Sequence, residues 1–400
     1  MPEHVSIGER AIVTAEELKA VWPQYGEDEK EGLLRVLASN AWCRLKDEHW
    51  QKGECGLFER EFAAFLGAEH VIAVANGTVA IELGLAALGL ESGDEVLVQA
   101  GTFFGTVTPV LKRGGVPVFA DFQADTCTVD PDSLEALVSD KTRGVIVVPL
   151  CGLAPDMDRI TAFCRKHGLW LIEDCAQAMG TTWNGRPLGT FGDIGTFSFQ
   201  QDKPLQSGEG GAVVCRDAEL LGRVFAYHQG FSVNGAPPFD RHRPGTNSRI
   251  SPWQAAVLRA QLKNLDRLIE TRLANVRRLN SLLTEADPIR PIAHFPQMDR
   301  WSIYAVPFFY DADKNGGVSR DSFLANLQQA GVPATEGHVE PLYLRPLYRE
   351  NVTLPHRHPD CPVTERITRE TYFSIMHWFF LGPPDWMDRL VRWMRHGQPF

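Results

Sequence analysis

Across 400 residues the chain has no Cys-x-x-Cys pair and no His-Glu-x-x-His. Its eight cysteines stand singly, at Cys43, Cys55, Cys127, Cys151, Cys164, Cys175, Cys215 and Cys361. That scatter argues against a metal site and against a disulfide framework, and reads as reduced thiols of a cytoplasmic protein. A basic excess is missing too. The net charge of -10 disfavours nucleic acid or an anionic membrane surface as the main partner. Nor is there a long apolar run: the most apolar window, Ala73 to Leu90, is interrupted by Asn76 and Glu82. Met1 to Val13 carries charges but no apolar core, so neither a signal peptide nor a membrane span is expected. No Gly-x-Gly-x-x-Gly follows a strand, because Val213 occupies the last position after Gly208-Glu-Gly210, and no Gly-x-x-x-x-Gly-Lys occurs. Dinucleotide and P-loop chemistry are thereby disfavoured. What remains is a globular chain, 44% hydrophobic, large enough for two domains and suited to a small-molecule ligand.

Taken in order, residues 1–40 read as a polar arm ending in a first helix. Phe58, Phe62 and Phe65 then fall at helical spacing and read as core. From Val71 short apolar runs alternate with amphipathic ones. Strands are expected at Val71 to Ala75, Glu95 to Val98, Pro117 to Ala120, Val145 to Pro149 and Leu169 to Glu173, with helices between them. This rhythm predicts an α/β domain over 41–255, with a mostly parallel sheet flanked by helices and ligands at the carboxyl ends of its strands. A long helix from Pro252 to about Leu283 links it, over 256–285, to a smaller α+β domain at 286–400. No internal repeat is evident.

The chemistry-bearing residues fall at strand ends. Lys203 lies between a strand, Ile194 to Phe199, and a turn containing Gly208, Gly210 and Gly211. Burial there would lower the amine's pKa and suit it to Schiff-base chemistry. Asn76-Gly77-Thr78 joins a strand to a helix, where free amides and the helix dipole favour a phosphate. An ordinary N-cap would give the same pattern. Phe103 could stack on a flat heterocycle or simply fill core. Asp174 ends the fifth strand, where a carboxylate can pair with a protonated ring nitrogen, and Gln177 could hydrogen-bond a ring substituent. Ser198 could add a hydroxyl to the phosphate. Each signal alone is commonplace, but together they meet the needs of pyridoxal 5'-phosphate.

These stretches resemble the fold-type-I sugar aminotransferases of the DegT/StrS family over nearly the whole chain: Asn76-Gly-Thr-Val-Ala-Ile-Glu-Leu, Glu173-Asp-Cys-Ala-Gln177, Ser198-Phe-x-x-x-Lys203, Gly208-Glu-Gly-Gly211 and Gly245-Thr-Asn-Ser-Arg249. Within it, Trp22-Pro-Gln-Tyr, Glu340-Pro-Leu-Tyr and Cys361-Pro-Val-Thr-Glu look most like glutamine:scyllo-inosose aminotransferases and 3-amino-5-hydroxybenzoate synthases. The resemblance implies that Lys203 binds the cofactor covalently and shuttles the proton, Asp174 holds ring N1 and Gln177 reaches O3'. It implies too that Phe103 stacks, that Gly77, Thr78 and Ser198 hold the phosphate, and that Asn247 serves the phosphate site of a second subunit in a homodimer. The expected reaction moves an amino group from glutamine or glutamate to the ketone of a keto-cyclitol or keto-sugar. Dehydration of a polyhydroxy ring and a non-catalytic regulatory role remain open at this point. Asp202 before the lysine, Gly101 and Ser251-Pro252 depart from the family pattern.

Overall fold

The computed structural model describes residues 11–396, with 48, 230, 241, 338, 352 and 353 excepted. The first ten positions of the expected arm and the last four of the expected C-terminal segment lie outside the described residues. Helices α1 (Ala15–Val21), α2 (Glu27–Ser39) and α3 (Glu54–Leu66) precede strand β1 (His70–Val74). An alternating series follows: α4 (Gly77–Leu88), β2 (Glu95–Gln99), α5 (Phe104–Lys112), β3 (Val116–Ala120), α6 (Pro131–Leu137), β4 (Thr142–Val147), α7 (Met157–His167) and β5 (Trp170–Asp174). A small hairpin, β6 (Thr182–Trp183) and β7 (Arg186–Pro187), leads to β8 (Ile194–Ser198) and β9 (Gly211–Cys215).

These strands, without the small hairpin, form a seven-stranded sheet in the order β1-β9-β8-β5-β4-β2-β3. Only β9 runs against its neighbours. The parallel strands therefore deliver their carboxyl ends to one edge, and the β8–β9 connection turns over at that same edge. β2, β8 and β9 are buried along their whole length, and the apolar centres of β2 and β9 accordingly face both sides of the sheet. Helix starts are set by side-chain caps: Asn76, Asp130, Asp156 and Ser251 each accept a backbone N–H of the first turn.

Helix α8 (Ala218–His228) packs back on the sheet, and α9 (Pro252–Leu282) then runs for 31 residues, about 46 Å. A second sheet, antiparallel throughout, follows in the order β10-β11-β13-β12, from β10 (Ile289–Pro291), β11 (Ala305–Tyr310), β12 (Ala334–Thr335) and β13 (Tyr372–Met376), with α10 (Arg320–Gln329) and the C-terminal helix Asp385–His396 against it. Ile12 and Val13 join that core, and Ile12 N–H donates to the Ala330 carbonyl at 2.8 Å. Strand β11 begins only at Ala305. Ser302 and Tyr304 are tied elsewhere, through bonds to Thr181 Oγ1 and the Cys151 carbonyl. No helix among the described residues is long and apolar enough to cross a membrane.

Candidate active site

At the carboxyl edge of the large sheet, Asp174 closes β5 opposite Thr196 of β8. Its carboxylate is buried and accepts from Thr106 Oγ1 at 2.8 Å and from Ala176 N–H at 3.2 Å. Burial pushes its pKa up, while Thr106, Ala176 and the nearby Lys203 charge oppose the rise. Thr106 stands one turn into α5, with Thr102 Oγ1 at 3.1 Å from its hydroxyl.

Lys203 sits in the loop that joins β8 to β9. Phe199 N–H to Gly210 O (2.8 Å), Gln201 N–H to Gly208 O (3.1 Å) and Lys203 N–H to Gln200 O (2.8 Å) hold that loop. Gly208 and Gly210 take φ of 82° and 145°, a region closed to most side chains, so the reversal needs glycine there. Crowding of the Lys203 amine lowers its pKa to about 8 through burial, against the raising influence of Asp174, Asp202 and Cys151. Its Nζ lies 4.2 Å from the centre of the Tyr304 ring.

Gln177 is buried, and its side-chain carbonyl accepts Cys151 N–H at 2.8 Å. The amide NH2 is thus the end turned to other use. At the start of α4, Asn76 Oδ1 accepts Val79 N–H at 2.9 Å, which leaves the Gly77 and Thr78 N–H groups to a ligand. Gly77 lies against the end of β8: a Cβ built there would stand 2.8 Å from Ser198 Cβ. A Cβ on Gly105 would meet Thr78 Oγ1 and the Phe103 ring, each at 2.7 Å. Thr78, Ser198, Gly77 and Phe103 thus crowd one corner, with Phe103 about two-fifths exposed.

Asn247 stands apart from this cluster in the single chain. It is exposed, in the segment whose Ser248 carbonyl accepts Ala75 N–H at 2.8 Å beside the end of β1.

Several participants carried no signal of their own. Tyr304 and His377 flank the paired strands β11 and β13 at one end of the second sheet, with His377 Nε2 at 3.0 Å from the Asp202 carbonyl. Glu173, adjacent to Asp174, accepts N–H groups of Gly189 (2.7 Å), Phe191 (2.6 Å) and Gly192 (2.8 Å), and burial still raises its pKa to about 6. It anchors the turn before β8. Thr102 and Thr106, four residues apart behind a strand end, were the one pairing that spacing could have flagged. The Gly101 departure also has a reason: the Val339 carbonyl would lie 2.4 Å from a Cβ there, where Gly101 bridges to Pro341.

A mostly parallel sheet with a lysine in its one reversed connection and a buried carboxylate on the adjacent strand defines a fold-type-I pyridoxal-phosphate enzyme. The DegT/DnrJ/EryC1/StrS aminotransferase family model matches residues 24–380, and the chain belongs to that family of pyridoxal-phosphate-dependent aminotransferases. It is 35% identical over 335 residues to a putative L-glutamine:3-amino-2,3-dideoxy-scyllo-inosose aminotransferase of Micromonospora echinospora, covering 83% of this chain and 78% of that one. It is 34% identical over 383 residues to 3-amino-5-hydroxybenzoate synthase of Amycolatopsis mediterranei, covering 91% and 93%. Among solved structures, 3-amino-5-hydroxybenzoic acid synthase superposes with a TM-score of 0.84 at 32% identity, over 94% of this chain and 97% of the other. DesV of S. venezuelae gives 0.81 at 30%, over 95% and 97%.

The residues fit the cofactor. The two free amides at Gly77 and Thr78, beside the hydroxyl-bearing corner, suit a phosphate, and the buried carboxylate suits a cationic ring nitrogen.

Proposed function

We propose that this enzyme moves an amino group from glutamine or glutamate to the ketone of a keto-cyclitol or keto-sugar, in aminocyclitol or aminosugar biosynthesis. One observation carries the reading: Lys203, in the loop that leaves β8, and the buried carboxylate of Asp174, at the end of the neighbouring β5, stand together at the carboxyl edge of the sheet, where burial lowers the pKa of the amine. Bound pyridoxal phosphate supplies an electron sink for the carbon that bears the amino group. Lys203 supplies the amine for its carbonyl, and at pH 7 about a tenth of such an amine is neutral, against fewer than one in a thousand for a free lysine. The same Nζ then takes and returns the proton of the transfer.

In this reading Asp174 keeps its negative charge at the ring nitrogen, with Thr106 and Ala176 opposing the cost of burial. Gln177 donates its amide N–H to the ring oxygen. Gly77, Thr78 and Ser198 hold the phosphate while Phe103 covers the ring. Asn247, exposed in the single chain, completes the phosphate site of a second copy, which makes the working unit a homodimer. Two sheets joined by α9 support a reading of the chain as a cofactor domain over 41–255 and a small domain over 286–400, linked by 256–285. Eight unbridged cysteines fit a cytoplasmic setting.

The names of the relatives support the substrate class. The test presents the pyridoxamine-loaded enzyme with a panel of keto-cyclitols and nucleotide-linked keto-sugars and follows the return of the visible cofactor absorbance. A keto-cyclitol or keto-sugar should restore it. Restoration by none of them would refute the acceptor class, and release of a dehydrated product without amine would move the reaction to elimination.

A further inference from the structure

Behind the Lys203 loop, α9 carries a buried charge whose one recorded contact is the face of an aromatic ring. Arg272 is fully buried, and among the described residues its Nε, Nη1 and Nη2 have no hydrogen-bond partner. Among the described residues it forms no ion pair, and the charge that acts on it is another cation, Arg267. Burial and Arg267 together lower its pKa to about 9, still well above neutrality, so the guanidinium stays charged.

The Arg272 Cζ lies 5.7 Å from the centre of the Trp22 ring, and the buried Trp22 Nε1 also has no hydrogen-bond partner among the described residues. The carbonyls of Phe380 and Gly382 are taken by Asn275 Nδ2, each at 2.9 Å, one turn further along α9. His377 packs edge-on to Trp22, ring centres 4.7 Å apart. Its Nε2 is engaged with the Asp202 carbonyl, and burial, then the Arg272 charge, keep the ring neutral, so Nδ1 carries a lone pair. An uncompensated buried cation costs several kcal/mol. A water could accept from Arg272 and donate to His377, but it would leave the charge standing.

We propose that Arg272 and Trp22 form an internal site for a small monovalent inorganic anion of halide size, enclosed between α9, the segment around Trp22 and the 377–382 turn. The chemistry is that of an acceptor-only species among N–H donors, one of them charged. Its role is structural: it fastens the Trp22 segment and the turn to α9, and it sits behind His377, which holds the backbone carbonyl just before Lys203. The site stands apart from the amino-transfer chemistry and does not depend on the substrate reading.

The test uses the holoenzyme in potassium chloride or bromide against potassium gluconate at constant ionic strength. Tm should rise with halide by roughly 1–2 °C per tenfold once the site begins to saturate. Crystals grown in bromide should show an anomalous peak between the Arg272 guanidinium and Trp22 Nε1. Arg272→Met should remove the halide dependence, and Trp22→Phe, which keeps a ring but no N–H, should move its midpoint to higher halide by on the order of tenfold. Equal Tm in chloride and gluconate with no bromide peak would mean water alone and overturn the site, as would a halide response that persists in Arg272→Met. Should that variant fail to fold, the bromide peak in the wild type decides: its presence supports the site and its absence refutes it.

Discussion

Thr106→Val isolates one hydrogen bond on which the proposed role of Asp174 depends. The substitution keeps the shape of the side chain and deletes the hydroxyl that donates to Asp174 Oδ2 at 2.8 Å. A bond to a charged group is worth about 1.5–3 kcal/mol, and one pKa unit corresponds to about 1.36 kcal/mol. The carboxylate should therefore become easier to protonate by about 1–2 units, on top of the rise that burial already imposes. The sign is fixed by which form works: the ionised carboxylate is needed, so activity lost through Asp174 is lost as pH falls. The acid limb of the kcat/KM profile should move to higher pH by that amount, while activity on the plateau stays within a few fold of wild type. Because Lys203 and Asp174 feel each other, the limb belongs to the pair rather than to either group. Thr106→Ser restores the donor and should restore the limb. Thr102→Val, which leaves the Thr106 bond to Asp174 in place, should move it little. An unmoved limb in Thr106→Val, or identical profiles for the Val and Ser variants, would show that Thr106 only fills space.

Three further outcomes are expected. Borohydride treatment should fix pyridoxal phosphate to Lys203, read by peptide mass, and Lys203→Ala should lose at least about 10²–10⁴-fold in turnover with its proton shuttle; an adduct on another lysine would refute the assignment. Gly77→Ala brings a Cβ to 2.8 Å from Ser198 Cβ, and relief of such overpacking at about 1–3 kcal/mol should weaken cofactor binding roughly 5–150-fold, measured by equilibrium dialysis; an unchanged affinity would refute the close fit of that corner. Lys203→Ala and Asn247→Asp, inactive separately, should regain about a quarter of wild-type activity when unfolded and refolded together, since half the random dimers are hybrids and half of their sites are whole; no recovery with hybrids confirmed by mass would place Asn247 in its own subunit's site.

The part of the site that lay within single strand-to-helix connections was legible. Asn76 as cap and Gly77 as first helical residue follow within three residues of the end of β1, the apolar run of β5 leads to Glu173 and Asp174, and β8 announces itself by β-branched and aromatic residues alternating with small ones up to Ser198. The reversed direction of β9 was not legible, because a four-residue apolar run after glycines reads alike in either direction. Strands β10, β12 and β13 escaped for another reason. They are only three, two and five residues long; β10 and β13 take their register from β11, and β12 takes its register from β13, so their pairing is a tertiary fact with little local pattern behind it.

Tyr304, Cys151 and His377 escaped for a third. Tyr304 reaches Lys203 because its backbone leaves the strand pattern: Tyr304 N–H donates to the Cys151 carbonyl at 3.4 Å, and Tyr304's own carbonyl accepts His377 N–H at 3.2 Å. Trp301 Nε1 adds a bond to that same Cys151 carbonyl at 2.9 Å. Three segments more than seventy residues apart in sequence are thus tied by main-chain groups, and main-chain groups leave no trace in residue identity. Asp202 is the point where the two kinds of information meet. As a residue it departs from the family pattern, with its charge raising the pKa of Lys203 while burial lowers it. As backbone it offers His377 the carbonyl that any residue would offer. The side chain tunes the neighbouring amine, whereas the carbonyl only fixes where the loop sits, so a substitution at 202 is free to alter the first without disturbing the second.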